Sequence, residues 1–70
     1  MALTETQELL LNGLDLYKVE KGAMIGIMIM LQKEDQMNEL MHYMASNPAM
    51  TQEEILEKAV EIYQATTNSQ

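Results

Sequence analysis

The sequence predicts an all-α domain, a compact bundle of about four short helices with a central apolar helix. Three observations lead there. Apolar residues recur at helical spacing in three segments, a fourth segment from Ala23 to Leu31 is apolar or Gly throughout, and capping boxes open the first and last helices. At 70 residues, 47% of them hydrophobic, the chain is of single-domain size. The expected domain covers residues 1–64, and the turn-like composition of 65–70 predicts a polar flexible tail.

Thr4 can cap the first helix, because Gln7 three residues on can complete a capping box and Glu5 and Glu8 suit the positive end of the helix dipole. Leu9, Leu10, Leu14 and Tyr17 then share one face, giving a helix from about Thr6 to Lys18. A break at Gly13 is the alternative.

Lys21 and Lys33 bracket the apolar segment, and the 11 residues between them reach about 17 Å as a helix, against a hydrocarbon core of about 30 Å. The segment is too short to span a bilayer. An all-round apolar helix must then be buried in protein, so the expectation is a helix wrapped on every side by its neighbours. Gly22 and Gly26 form a G-x-x-x-G that would let two backbones approach inside the core. Alternation of Ile25, Ile27 and Ile29 keeps a strand open for residues 23–31, paired with Leu14 to Val19 across a Glu20-Lys21-Gly22 turn.

Polarity returns at Lys33-Glu34-Asp35, and Met37, Leu40, Met41 and Met44 then recur at i, i+3, i+4 and i+7. This third helix either follows a kink near Lys33 or continues the second. Pro48 ends it, since a residue before proline is pushed out of the α region. In the last helix Thr51 and Glu54 make the capping box and Met50 and Ile55 the hydrophobic staple. Ile55, Leu56, Ala59, Val60, Ile62 and Tyr63 form its apolar stripe, opposite Glu53, Glu57 and Glu61.

Composition excludes several functions. Eleven carboxylates stand against four Lys and no Arg, a net charge of −7, which suits neither nucleic acid nor an anionic membrane. The lysines, Lys18, Lys21, Lys33 and Lys58, are scattered along the chain. The first residues contain no basic or apolar leader pattern, so the expected compartment is the cytoplasm. With no Cys there is neither a disulfide nor a Cys/His cluster for zinc, and no cofactor or metal is expected.

Candidate chemistry is sparse. The eight methionines read first as core filler; an adaptable partner groove and a soft Cu(I) site are the alternatives. If a groove exists, Met37, Met41, Met44 and Met50 are its residues. His42, the single histidine, falls with Asn38, Glu39 and Ser46 away from the Met stripe, so it is expected to be exposed. Glu54, Glu57 and Glu61 lie on adjacent turns of one face, where nothing converges to shift a carboxylate or hold a hard cation. Ser46 and Ser69 have no His spaced to activate them, and Gly13, Gly22 and Gly26 form no phosphate loop. No catalytic, cofactor-binding or metal residue is assigned.

The segment His42 to Ala59, with Asn47-Pro48 leading to the Thr51-capped acidic helix, resembles the opening of helix-turn-helix domains. Such domains need a further recognition helix, and here only the polar tail follows. Ile-Met-Leu-Gln-Lys-Glu-Asp-Gln-Met, then Met-Ala-Ser-Asn-Pro and Thr-Gln-Glu-Glu-Ile, within about Gly22 to Tyr63, resembles a group of short uncharacterised proteins of clostridia-type bacteria. That resemblance implies an all-helical intracellular protein and transfers no site. The function expected is a small non-enzymatic protein–protein interaction or regulatory module, its partner another protein or a second copy of itself. The alternative is a transcription-associated helix-turn-helix-like protein, or an acidic antagonist of a DNA-binding one.

Overall fold

The first capping box closes as its residues require. In the computed structural model, which describes residues 3–68, the Thr4 amide donates to Gln7 Oε1 at 2.9 Å and the Gln7 amide to Thr4 Oγ1 at 3.1 Å. Helix α1 follows over Glu5–Leu16. Gly13 does not end it, and a Cβ there would meet the tip of Met44 at an ordinary 3.6 Å. The helix stops in a Schellman turn, in which the Val19 amide reaches Leu14 O at 3.0 Å and the Lys18 amide reaches Asp15 O at 2.9 Å. Lys18 holds the left-handed position of that turn, φ 61°, where glycine is usual.

The apolar segment is helical, α2 over Lys21–Met30, so the strand pairing is excluded. Its start has no side-chain cap of its own. Instead, the Glu20 amide donates to Gln52 Oε1 at 2.8 Å and Gln52 Nε2 donates back to Glu20 Oε1 at 3.3 Å, tying this helix to the start of the last one. A break at Leu31 to Lys33 separates α2 from α3, Glu34–Ser46, which resolves the question of continuity. Gln36, buried, turns its Oε1 back to the Lys33 amide at 3.1 Å and so caps α3. Asn47 is extended before Pro48 (φ −133°), and α4 then runs over Gln52–Asn68. The second capping box pairs the Thr51 amide with Glu54 Oε1 at 2.9 Å and the Glu54 amide with Thr51 Oγ1 at 3.2 Å.

The C-terminal end differs from the expected one. Helix α4 continues through Ala65 and Thr66 to Asn68, so the flexible tail does not begin at residue 65. Thr66 supports the extension by donating its hydroxyl to Ile62 O at 2.9 Å, a back-bond that polar residues can make without burying anything. Residues 69–70 of the expected tail lie outside the described residues.

The fold class is the one the sequence predicts, four helices joined by short loops, with a Cα radius of gyration of 11.2 Å against about 11 Å for a compact chain of this length. Helix α3 packs on α4 and α1, and α2 packs on α4 and only lightly on α1. The helices therefore form a four-sided ring in the order α1, α2, α4, α3. The core gathers Leu10, Leu14, Val19, Ile27, Leu31, Met37, Leu40, Met44, Ile55, Ala59 and Ile62. A partly buried polar tie crosses from α1 to α3, where the Tyr17 hydroxyl donates to Met44 O at the end of α3.

Enclosure of α2 on every side is not found. A helix in a four-sided ring has two neighbours and one free side, and α2 buries only Ile27 fully while Ile25 and Ile29 stand 61% and 64% exposed. Leu9 on α1 and Val60 and Tyr63 on α4 are likewise outside, trimming the stripes expected there.

Candidate functional site: the outer face of α2

The residues with reactive side chains are dispersed. Among the described residues no group of three or more His, Asp or Glu is placed to hold a metal ion. His42 is exposed on the outer side of α3. Its backbone carbonyl accepts from Ser46 Oγ at 3.1 Å. Glu54 is engaged in its capping box, Glu57 is exposed, and Glu61 pairs with Lys58 at 2.8 Å.

Lys58 is the best-organised charged side chain. Its ammonium lies 4.5 Å from the centroid of the Tyr43 ring, joining α4 to α3 by a cation–π contact. Its pKa is raised above the ordinary 10.5, first by the hydrogen bond to Glu61, with the nearby Glu61 charge adding to it and partial burial opposing it. These contacts fasten two helices and leave the lysine protonated at neutral pH, which suits a structural tie and not a proton-transfer group.

The methionine surface does not form. Met37 and Met44 are 3% exposed and belong to the core, and Met41 and Met50 are half-buried against it. Their spacing on α3 is what an inward stripe requires, so the regularity that marked them as a groove is the regularity that buries them.

What stands open is α2. Gly22, Ile25 and Ile29 follow at i, i+3 and i+7 on its outer side, with Gly26 at the edge of the same face. Neither glycine packs against the chain: a Cβ built on Gly22 or Gly26 would meet nothing within 4 Å. The close approach inside the core expected of this G-x-x-x-G is therefore not made. Beside the face, Leu11, Asn12 and Asp15 of α1 and Lys21, Met24 and Ile25 of α2 line a shallow groove of about 380 Å³. Covering Ile25 and Ile29 would be worth about 1–2 kcal/mol each, roughly 60% of the 1.5–3 kcal/mol for a fully exposed side chain. Residues 21–33 contain no carboxylate, as is also true of 40–52, and carry Lys21 and Lys33 at their ends, on a chain of net charge −7.

Sequence reasoning identified this segment but turned its face inward. The available signal was excess: a ten-residue helix apolar all round carries more apolar surface than two neighbours can cover. No protein-family model matches the chain, and neither curated proteins nor solved structures return a match. No helix among the described residues is long and apolar enough to cross a membrane.

Proposed function

We propose that the chain is a small non-enzymatic protein–protein interaction module that presents the outer face of α2 to a protein partner. The observation that carries this reading is the pair Ile25 and Ile29, side by side and mostly exposed on a helix without a polar face. Monomeric soluble proteins rarely leave contiguous apolar surface open unless something covers it. Dispersed titratable side chains support the non-enzymatic part, since acid–base or nucleophilic chemistry needs them convergent. The cytoplasm is the compartment proposed.

The transcription-associated alternative draws on the Asn47-Pro48 corner between α3 and α4. Exposed Glu53, Glu57 and Glu61 on α4 would repel a phosphate backbone, which leaves the acidic-antagonist version as its only form.

The test immobilises the full chain and compares wild type with the Ile25→Ser/Ile29→Ser double variant for retention of proteins, its own free chain included. Retention by wild type and loss by the folded variant is the expected result. Equal retention by both, or none by either, overturns the proposal.

A further inference from the structure

We propose that Asn12 is a site of spontaneous covalent modification, closed while helix α1 is wound and opened when it unwinds. Asn12-Gly13 is the single Asn-Gly of the chain. In such a pair the main-chain nitrogen of the glycine reaches the side-chain amide carbon of the asparagine, because no side chain on the glycine stands in the way. Once its proton passes to hydroxide, the Gly13 nitrogen attacks Asn12 Cγ and the new N–C bond closes a five-membered succinimide. The side-chain nitrogen takes a proton from water and leaves as ammonia, which restores the hydroxide. A second water then opens the ring. Cleavage at one carbonyl gives aspartate; cleavage at the other gives isoaspartate, the main product, in which the backbone runs through Cβ. Water is the sole co-reactant, and nothing is oxidised or reduced.

The fold sets the condition for this step. Asn12 is exposed, so water and hydroxide reach its amide. The Gly13 nitrogen is not free. Both residues lie inside α1, Glu5–Leu16, where the helical pattern turns the Gly13 N–H toward the Leu9 carbonyl and holds ψ of Asn12 away from the angle that ring closure needs. The Thr4–Gln7 box secures one end of this helix, the turn at Lys18 the other, and Leu10 and Leu14 are sealed in the core. Its middle is the weaker place, since glycine holds a helix less well than any residue except proline. The other asparagines lack the pairing: Asn47 precedes Pro48, whose nitrogen carries no hydrogen, and Asn38 and Asn68 precede Glu39 and Ser69, whose side chains obstruct the approach.

The modification runs one way. Isoaspartate adds a carbon to the backbone, so the hydrogen bonds of α1 no longer cross residue 12 in register. Either product also adds a carboxylate at i+4 from Glu8 and three residues before Asp15, like charges that oppose the helix. It stands on the wall of the groove that Asn12 shares with Met24 and Ile25. An opening of α1 long enough for reaction therefore leaves a permanent mark.

The test incubates the full chain at pH 8, folded and in urea beyond its unfolding midpoint. Samples are quenched in acid, cleaved after lysine and read by mass spectrometry, residues 1–18 carrying Asn12 as their one asparagine. In urea Asn12 is expected to convert at least about tenfold faster than Asn38, and Gly13→Ala to remove that advantage. Folding is expected to slow Asn12 by at least the factor by which the Gly13 amide is protected from hydrogen exchange, since both reactions need the same N–H released. Conversion in urea no faster than at Asn38, or undiminished by Gly13→Ala, overturns the site. Conversion in the folded chain as fast as in urea, or slowed by less than the protection of the Gly13 amide, overturns the gate.

Discussion

Helices α2 and α3 reverse what their compositions suggest. Helix α2 is apolar or Gly at every position after Lys21, yet one of its ten residues is buried. Helix α3 opens with Glu34, Asp35 and Gln36 and carries Asn38, Glu39 and His42, yet four of its residues are buried and it packs on two neighbours. Burial in a small bundle follows the arrangement of apolar residues around a helix, not their number. Met37, Leu40 and Met44 fall on one inward stripe, and α3 is fully used by the fold. In α2 the apolar residues lie all round, so Ile25 and Ile29 face away from the core and remain for something outside the chain.

The comparison breaks most visibly in the core. Leu40→Ala should cost about 2–5 kcal/mol. For 70 residues at about 0.05–0.15 kcal/mol each the whole stability is about 4–10 kcal/mol, so urea melts should show a chain near the edge of folding. Ile27→Ala, at the one sealed position of α2, should cost a similar amount. Ile29→Ser, measured dilute, should stay within about 0.5 kcal/mol. A loss at Ile29 as large as at Leu40 would mean that the outer face is part of the core after all.

Helix ends sharpen the contrast at a smaller scale. Thr51→Ala removes one half of a reciprocal capping box and should lower stability by about 1 kcal/mol in thermal or urea unfolding. Helix α2 has no such side-chain cap and depends on Gln52 across the bundle. Lys18→Gly should act in the opposite direction. It relieves a left-handed residue costing about 1–2 kcal/mol, partly offset by the added freedom of the unfolded chain, for a net gain of about 0.5–1 kcal/mol in urea midpoint analysis.

The smallest effect lies on the α3–α4 seam. The pKa of Lys58 is raised in the fold, so the fold favours its protonated form; that contribution is complete below pH 10.5 and is lost as pH rises through the higher folded value. Glu61→Gln should therefore cost at most about 0.5 kcal/mol near neutral pH, less in high salt, given an exposed Glu61. Denaturation of both proteins at pH 8 and pH 12 should show the difference closing at the alkaline end. An unchanged difference would assign the effect to something other than the lysine proton.

Local signals were the most legible part of this fold. Thr4 with Gln7, Thr51 with Glu54, and Asn47 before Pro48 each act within a few residues, and each determines a helix boundary where it stands. The stripe of α3 was legible for the same reason. The turn at Lys18 was not, because nothing about a lysine announces a left-handed backbone; the turn is imposed by the Leu14 and Asp15 carbonyls and by burial of Val19. The reciprocal bond between Glu20 and Gln52 joins residues 32 apart and has no local signature. For the candidate site the segment was readable and its orientation was not. Which side of α2 faces out depends on where α1 and α4 lie, and that is decided by packing among Leu14, Ile27, Leu31 and Ile55.

The half-covered sulfurs carry one more consequence. Met24, Met28 and Met30 pack against the core without being sealed in it, whereas Met37 and Met44 are closed off at 3% exposure. A peroxide reaching the molecule would meet these thioethers and the half-buried Met41 and Met50 before the sealed ones and convert them to polar sulfoxides, while Met37 and Met44 stay reduced. Three of those five half-covered sulfurs lie on α2, so oxidative damage would reach the flanks of its open face before it reached the sealed core.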